Sequence, residues 1–157
     1  MKGIILAGGL ATRLRPLTWV TNKHLLPVYN KPMIYFPLES MQRAGIKEVL
    51  ITSSPDHAGH FANLLRDGEE FGLKLYFAVQ KNPKGGIADA MLLAEEFCNE
   101  EKLLVLLGDN IFGHDLSASV QALERCEKGA KIFGIEMHTE KIHYGVIEME
   151  ELGKVIS

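Results

Sequence analysis

The stretch KGIILAGGLATRL at residues 2–14 places an apolar run directly before two adjacent glycines, Gly8 and Gly9. The run predicts a buried strand, because it is short, continuous and bounded by glycine. Paired glycines let backbone N–H groups point at an anion without a Cβ in the way. Arg13 in the same stretch and Lys23 beyond it would add fixed positive charge. The sequence therefore predicts a strand that runs into an anion-binding loop.

Short apolar runs alternate with longer helical patterns along the rest of the chain. The runs predict strands at 2–7, 48–52, 73–79, 103–107 and 131–137, and a further strand at 144–149 before a turn at Gly153. Apolar residues that recur every three or four positions predict helices at 32–44, 55–65, 86–98 and 116–126. This alternation is typical of the α/β fold class, in which helices cover both faces of a mostly parallel sheet.

Length, composition and charge exclude several classes of protein. With 157 residues, 46% of them hydrophobic and 24% charged, the chain has the composition of a one-domain globular protein. Its net charge of −3 argues against a nucleic-acid or anionic-membrane surface, so we expect a small ligand. No apolar run reaches the roughly 18 residues of a membrane helix and no signal peptide is evident, which predicts a cytoplasmic protein. Cys98 and Cys126 lie on predicted helices, where we expect buried, reduced thiols.

Three of the predicted strands end in loops that carry polar or glycine residues. The strand at 2–7 meets the double glycine, the strand at 73–79 meets the loop 80–86, and the strand at 103–107 meets Gly108, Asp109 and Asn110. Ligands of parallel sheets bind at the carboxyl ends of strands, where the loops diverge. We therefore expect these three loops to form one cleft.

The loop at Gly8 and Gly9 fits neither of two familiar phosphate-binding motifs. A P-loop needs a lysine followed by Ser or Thr after its glycines, and here Thr12 and Arg13 stand at the helix entry. A dinucleotide fingerprint needs three spaced glycines and an acidic residue about twenty positions later. A simple structural turn is the alternative, but the strand before the loop and the two cations favour phosphate binding.

Asp109 and Gln80 are the candidate metal and base contacts. A carboxylate at a strand end opposite a phosphate loop suits Mg²⁺, which takes few protein ligands, although Asp109 could instead be a turn or helix-cap residue. The Gln80 amide offers a donor and an acceptor that match a pyrimidine edge, although its loop is also good turn chemistry. His57 and His60 have a spacing that could pair on a metal, but without a third ligand nearby we expect solvated side chains.

Five longer motifs contain most of these candidate residues: LAGGLATRLRPLT at 6–18, NKHLLPV at 22–28, KPMIYFPL at 31–38, LGDNIF at 107–112 and YGV at 144–146. Together they are similar to the sugar-1-phosphate nucleotidylyltransferases, most closely the glucose-1-phosphate thymidylyltransferases. The resemblance implies a Rossmann-like fold with one nucleotidyltransferase domain over 1–157. It also implies transfer of a thymidylyl group from dTTP to glucose 1-phosphate with Mg²⁺, giving dTDP-glucose and pyrophosphate for deoxysugars of the rhamnose type.

The resemblance also assigns roles to individual residues. The implied catalytic residues are Arg13, Lys23 and Asp109, the last of them also the metal ligand. The implied sugar contacts are Asn110, Tyr144 and Gly145. The implied nucleotide contacts are Leu6, Ala7, Gly8, Gly9, Leu10, Ala11, Thr12, Arg13, Lys23, Gln80, Pro83, Gly85 and Gly86.

The sequence departs from the family pattern at three places. Leu10 and Ala11 stand where the family commonly has a small residue and glycine, and Asp89 replaces a frequent glutamine. The family's Glu-Glu-Lys-Pro segment and second metal-binding aspartate would follow Ser157, so we expect the domain to be incomplete at its C-terminal end. A UTP-using relative, a non-catalytic nucleotide-binding module and a homo-oligomer all stay open.

Overall fold

The computed structural model describes residues 1–82, 84–136, 145–150 and 153–156. The contacts group into two compact units, Met1–Cys126 and Glu127–Ser157. The helices and strands belong to the first unit. The strands are β1 (Lys2–Ala7), β2 (Pro27–Val28), β3 (Lys31–Pro32), β4 (Glu48–Ser53), β5 (Lys74–Val79) and β6 (Leu103–Leu107). The α-helices are α1 (Tyr35–Arg43), α2 (Ala58–Leu65), α3 (Gly86–Leu92), α4 (Glu95–Cys98) and α5 (Ser117–Glu124).

Four of the strands form a parallel sheet in the order β5-β4-β1-β6. Strand β1 is central: Ile5 is in register with Ile51 of β4, and Leu6 is in register with Leu107 of β6. Because all four strands run in the same direction, their carboxyl ends meet at one edge of the sheet. The loops after β1, β5 and β6 therefore start from the same edge, as the sequence predicts.

Helices cover both faces of this sheet. On β1, Ile5 and Ala7 face one buried cluster, and Ile4 and Leu6 face the other. Because successive strand side chains point to opposite faces, this alternation shows that both faces are covered. The first cluster includes residues of α1, α2 and α5, and the second includes residues of α3 and α4. The predicted α/β class with a mostly parallel, doubly covered sheet is confirmed.

Helices α1 and α2 begin three residues later than the sequence pattern predicts, whereas α3 begins at Gly86 as predicted. Residues 27–28 and 31–32 pair as the antiparallel hairpin β2–β3, so α1 begins only at Tyr35. It is followed by Gly45, whose φ of 81° ends the helix. Helix α2 begins at Ala58, and the single helix predicted over 86–98 is two helices, α3 and α4. Apolar spacing thus locates the helices but does not show where each one starts.

The second unit contains less regular structure than predicted. Residues 131–136 are described and form no strand, so the strand predicted at 131–137 is wrong over this range. All six are exposed, and a strand without a buried face lacks the packing that stabilises it. The strand predicted at 144–149 is reduced, among its described residues, to one antiparallel bridge from Met149 to Val155. Gly153, with φ 76°, lies in the turn between them.

The two cysteines differ in burial. Both thiols are free, and Cys98 in α4 is half-buried. Burial raises its pKa, the nearby Lys2 charge opposes that effect, and Glu101 adds to it. The prediction of a buried Cys126 is wrong: α5 ends at Glu124 and Cys126 follows it with an exposed side chain. In the described part of the chain, no helix has both the length and the apolar character to cross a membrane.

Candidate functional site

The loop after β1 turns at Ala11 rather than at its glycines. Among the described residues with positive φ, neither Gly8 nor Gly9 occurs, whereas Ala11 has φ 45° and ψ 43°. The Thr18 hydroxyl donates to the Ala11 carbonyl at 2.9 Å, which ties the turn to the next part of the loop. Arg13 follows in a short 3₁₀ helix with its side chain exposed. The left-handed residue is thus an alanine, at a position where the sequence pattern leads us to expect glycine.

The far end of this loop is fixed to β1 by Asn22. The Asn22 Nδ2 donates to the Ala7 carbonyl at 3.0 Å, and its Oδ1 accepts from the His24 backbone N–H at 3.0 Å. The same Oδ1 lies 2.6 Å from Nδ1 of His24. Since Nδ2 is the donor in this amide, Oδ1 accepts and His24 carries its proton on Nδ1. Asn22 and His24 are both only 2% exposed, so Lys23 lies between two buried, hydrogen-bonded residues.

Lys23 and Asp109 form an ion pair at the carboxyl edge of the sheet. The Lys23 Nζ contacts Oδ2 of Asp109, which joins the loop after β1 to the loop after β6. Partial burial acts to raise the Asp109 pKa, but the hydrogen bond and charge of Lys23 outweigh it, so the pKa lies below its usual value. The carboxylate is therefore charged at neutral pH. Two of the three implied catalytic residues are in contact.

The buried His24 ring packs against Gly108, next to the ion pair in sequence. A Cβ on Gly108 would lie 2.7 Å from Cδ2 of His24, so the absent side chain at Gly108 makes room for the ring. Burial, and next the Lys23 charge, lower the His24 pKa to about 4, while Asp109 acts in the opposite direction. The imidazole is neutral at physiological pH. His24 thus packs against Gly108, the residue before Asp109, and follows Lys23 directly in the chain.

Gln80 begins the loop after β5 and is only 4% exposed. Its Nε2 donates to the Gly86 carbonyl at 3.1 Å and to Oδ2 of Asp89 at 2.9 Å. Its Oε1 lies against Gly8, where a Cβ would overlap it. The side-chain amide thus links the loop after β5 to the double glycine. Both implied nucleotide-binding loops meet at this contact.

A cavity of about 270 Å³ opens beside the loop after β1. Its walls include Gly9, Arg15, Lys23 and, from the segment after β4, Ser54 and His57. Arg15 and the segment after β4 were not anticipated from the sequence. The available signals were a second arginine close to Arg13 and the position of Ser54 directly after a buried strand.

The remaining residues proposed from the sequence lie at different places in the structure or outside its described part. Asn110 accepts from the Leu107 backbone N–H at 3.2 Å through Oδ1, which leaves its amide N–H₂ for other partners. Gly145 belongs to the second unit, and the predictions for Pro83 and Tyr144 lie outside the described residues. Leu10 and Thr12 are exposed beside Ala11, while Leu6 and Ala7 are buried at the end of β1.

The two histidines after β4 form no metal cluster. Their rings are 5.6 Å apart, and His60 is exposed as predicted. His57 departs from the prediction because it is half-buried, with an Nδ1 that has no partner among the described residues. Over the same described residues, no group of three His, Cys, Asp or Glu side chains could hold a metal. A metal site here would depend on few protein ligands.

One protein family matches the part of the chain that contains the site described above. The pattern of the family described as nucleotidyl transferase matches residues 2–157. The chain belongs to the nucleotidyl transferase family. The double-glycine loop, Lys23 and Asp109 all fall within the matched range.

Curated members of the nucleotidyl transferase family give closer comparisons. A glucose-1-phosphate thymidylyltransferase from Actinoplanes sp. is 45% identical over 100% of this chain and 51% of its own length. The protein of the same name from Neisseria gonorrhoeae is 43% identical over 96% of this chain and 52% of its own length. The chain thus spans about half the length of the curated relatives it matches.

Solved structures extend the likeness to three dimensions. A Bacillus anthracis protein described as a glucose-1-phosphate thymidylyltransferase, crystallised with sucrose, superposes with a TM-score of 0.79 and 42% identity. The superposition covers 82% of this chain and 52% of that protein. A UDP-glucose pyrophosphorylase complexed with UDP-glucose superposes with a TM-score of 0.66 at 23% identity, over 79% of this chain and 53% of its own, and shows a shared fold.

Proposed function

We propose that this protein transfers a thymidylyl group from dTTP to glucose 1-phosphate and releases pyrophosphate. The observation that carries the proposal is the Lys23–Asp109 ion pair, which joins two strand-end loops at the edge where ligands of parallel sheets bind. It also rests on relatives of that name that are 45% and 43% identical to this chain. The product would be dTDP-glucose.

The chemistry asks the protein for positioning and charge rather than for a covalent intermediate. An oxygen of the sugar phosphate would attack the α-phosphorus of dTTP in line, and pyrophosphate would leave. The nucleophile is already an anion, so the main obstacle is the repulsion between two polyanions. Arg13 and Lys23 would neutralise charge on the triphosphate. Arg15, which lines the cavity beside this loop, is a third cation available to the leaving phosphates.

We propose Mg²⁺ as the metal and Asp109 as its ligand. A single carboxylate beside a phosphate loop fits Mg²⁺, which completes its coordination with phosphate oxygens and water. When bound, the ion would supply further neutralisation of the triphosphate charge. Asp109 suits this role because its low pKa keeps the carboxylate charged and because Lys23 already holds it at the sheet edge.

The remaining contacts are assigned as follows. Leu6 to Thr12 would bind the nucleotide, with the double glycine at its phosphates. Gln80 with Pro83, Gly85 and Gly86 would meet the base, and Asn110, Tyr144 and Gly145 would face the sugar of glucose 1-phosphate. UTP is the weaker alternative, because the methyl group that separates thymine from uracil is worth only about 1–3 kcal/mol in a pocket. A single domain over 1–157, a cytoplasmic location and a homo-oligomer stay predictions.

The test is a thermal-shift titration with dTTP, UTP and ATP, each with and without Mg²⁺, followed by a pyrophosphate-release assay with glucose 1-phosphate. A ligand at a hundred times its Kd should add about 2.7 kcal/mol of stability, which is a shift of a few degrees. We expect the largest shift with dTTP and Mg²⁺, a smaller shift with UTP, and none with ATP.

Two variants make this test specific for the ion pair. Lys23→Ala should abolish the dTTP shift, whereas Lys128→Ala removes an exposed lysine of the second unit and should leave the shift intact. Equal shifts with all three nucleotides, or a full dTTP shift in Lys23→Ala, would contradict the proposal.

A further inference from the structure

The amide of Gln80 has only one possible orientation. Its two Nε2 hydrogens meet the Gly86 carbonyl at 3.1 Å and the Asp89 carboxylate at 2.9 Å. Both partners are acceptors that cannot donate. Turning the amide by 180° would bring Oε1 against two other acceptors and leave both unpaired. Because Gln80 is only 4% exposed, water cannot readily replace either hydrogen bond.

This orientation leaves Oε1 as the free end of the amide. Oε1 lies against Gly8 in the loop after β1, and within the described residues no donor is paired with it. Gln80 therefore presents an acceptor, not the donor-acceptor pair that the sequence alone suggests. A ligand at this point must supply an N–H group to complete the interaction.

Asp89 reaches Gln80 across the space left by a glycine. It lies in the first turn of α3, and a Cβ on Gly85 would come within 2.5 Å of its Cβ and Oδ2. The absence of a side chain at Gly85 therefore leaves room for the Asp89 carboxylate. This packing gives Gly85 a role that does not require contact with a ligand. The Asp89 carboxylate occupies this space and accepts the hydrogen bond from Gln80.

We propose that Asp89 is a specificity-determining positioning residue, which fixes Gln80 as an acceptor and so selects nucleobases with an N–H at the matching position. The proposal rests on the function given above and deepens it. Thymine and uracil carry a hydrogen on N3, whereas N3 of cytosine is an acceptor. In the wild-type protein, N3 of cytosine would face Oε1 of Gln80, and two hydrogen-bond acceptors would then oppose each other. Asp89 thus acts through Gln80 to exclude dCTP.

The experiment compares the Kd of dTTP with the Kd of dCTP, both with Mg²⁺, by calorimetry or fluorescence. A buried group left facing the wrong partner costs a large part of the affinity, so we expect wild type to prefer dTTP by about 100-fold. In Asp89→Ala the amide loses one of its two fixed partners, and the preference should fall by about tenfold. Asp89→Asn keeps an acceptor oxygen at the same place and should retain most of the preference.

Three controls separate positioning from a general structural effect. Glu96→Ala removes an exposed acidic side chain from the neighbouring helix α4 and should leave the preference unchanged. In a Gln80→Ala background, Asp89→Ala should have no further effect on the ratio of the two Kd values. Gly85→Ala should displace Asp89 and lower the preference as Asp89→Ala does. Melting curves show which variants are folded.

The outcomes distinguish this inference from the proposed function. If folded Asp89→Ala still binds dTTP with the wild-type preference, or if it weakens dTTP and dCTP equally, the inference is overturned and the proposed function survives. If wild type binds neither nucleotide, the proposed function fails and the inference fails with it. If Asp89→Asn retains the preference and Asp89→Ala loses it, the positioning role is supported.

Discussion

The loop after β1 and the loop after β5 differ in how their polar side chains are held. In the first, Arg13 and Arg15 are exposed. In the second, Gln80 is only 4% exposed and has already formed both hydrogen bonds of its amide nitrogen. Charge attracts a polyanion over several ångströms and tolerates side-chain motion, whereas base selection depends on which atom of an amide faces the ligand. Under the proposed function, phosphate binding would rely on available charge, and base recognition would rely on fixed direction.

The largest expected effect is on the reaction rate, and it comes from Arg13 in the loop after β1. Arg13→Ala should lower kcat/KM for pyrophosphate release by about 100- to 1000-fold, because a positive charge that would stabilise the transition state is lost. Its Tm should stay close to wild type, since the Arg13 side chain is exposed. Arg125→Ala, which removes an exposed arginine after α5, is the matched control. Near-normal turnover in Arg13→Ala would remove this residue from the catalytic set and leave Arg15 as the candidate.

The next expected effect concerns His24, a buried residue at the end of the loop after β1. The His24 pKa of about 4 is below the unfolded value of 6.5, so between these values the unfolded chain binds more protons. Stability should therefore fall as pH falls through this window, by about 2–3 kcal/mol between about pH 7 and about pH 4.5. Urea unfolding with EDTA present measures this fall.

His24→Gln provides the reference for this pH dependence, because Lys23 and Asp109 face the ring and other groups also titrate. The glutamine variant should lack the contribution of His24 and so lose less stability on acidification than wild type. The same loss in both proteins would show that His24 is not the group responsible.

The smallest expected effect tests the strained turn of the first loop. Ala11→Gly should stabilise the protein by about 0.5–1 kcal/mol, because glycine adopts positive φ without the cost that a Cβ imposes. Gly9→Ala is the matched control: at Gly9 a Cβ would meet no atom of the described residues within 4 Å. Chemical denaturation measures the free energy of unfolding of both variants. A stability loss in Ala11→Gly would mean that the alanine methyl group contributes packing that outweighs the strain.

The sequence predicts the sheet well because its signals are local. Apolar runs at 2–7 and 103–107 have the bounds of β1 and β6. Residues 131–136 show the limit of that signal, since an apolar run without a buried face forms no strand there. The start of α1 differs from the prediction for a related reason, because Lys31 and Pro32 pair with Val28 and Pro27 in a hairpin.

The candidate site was predictable in its composition and less so in its geometry. Glycines, cations and Asp109 at strand ends predicted loops that meet at the carboxyl edge of the sheet, and the Lys23–Asp109 contact confirms that two of them meet there. The left-handed backbone at Ala11 and the fixed direction of the Gln80 amide were not visible, because each depends on contacts with residues brought near by folding. Sequence spacing identifies which groups are present, and the fold decides which atom of each group is available.

The hydrogen bond from Asn22 to the Ala7 carbonyl fixes the two ends of the loop formed by residues 8–21. In polymer terms, closing such a loop costs entropy that grows only with the logarithm of its length, about 0.6 kcal/mol for each doubling. Residues inserted near exposed Leu17 or Val20 would therefore change the size of the loop at small cost. Lys23 would keep its place opposite Asp109, because its position is set at the closing bond and not by the path of the chain between.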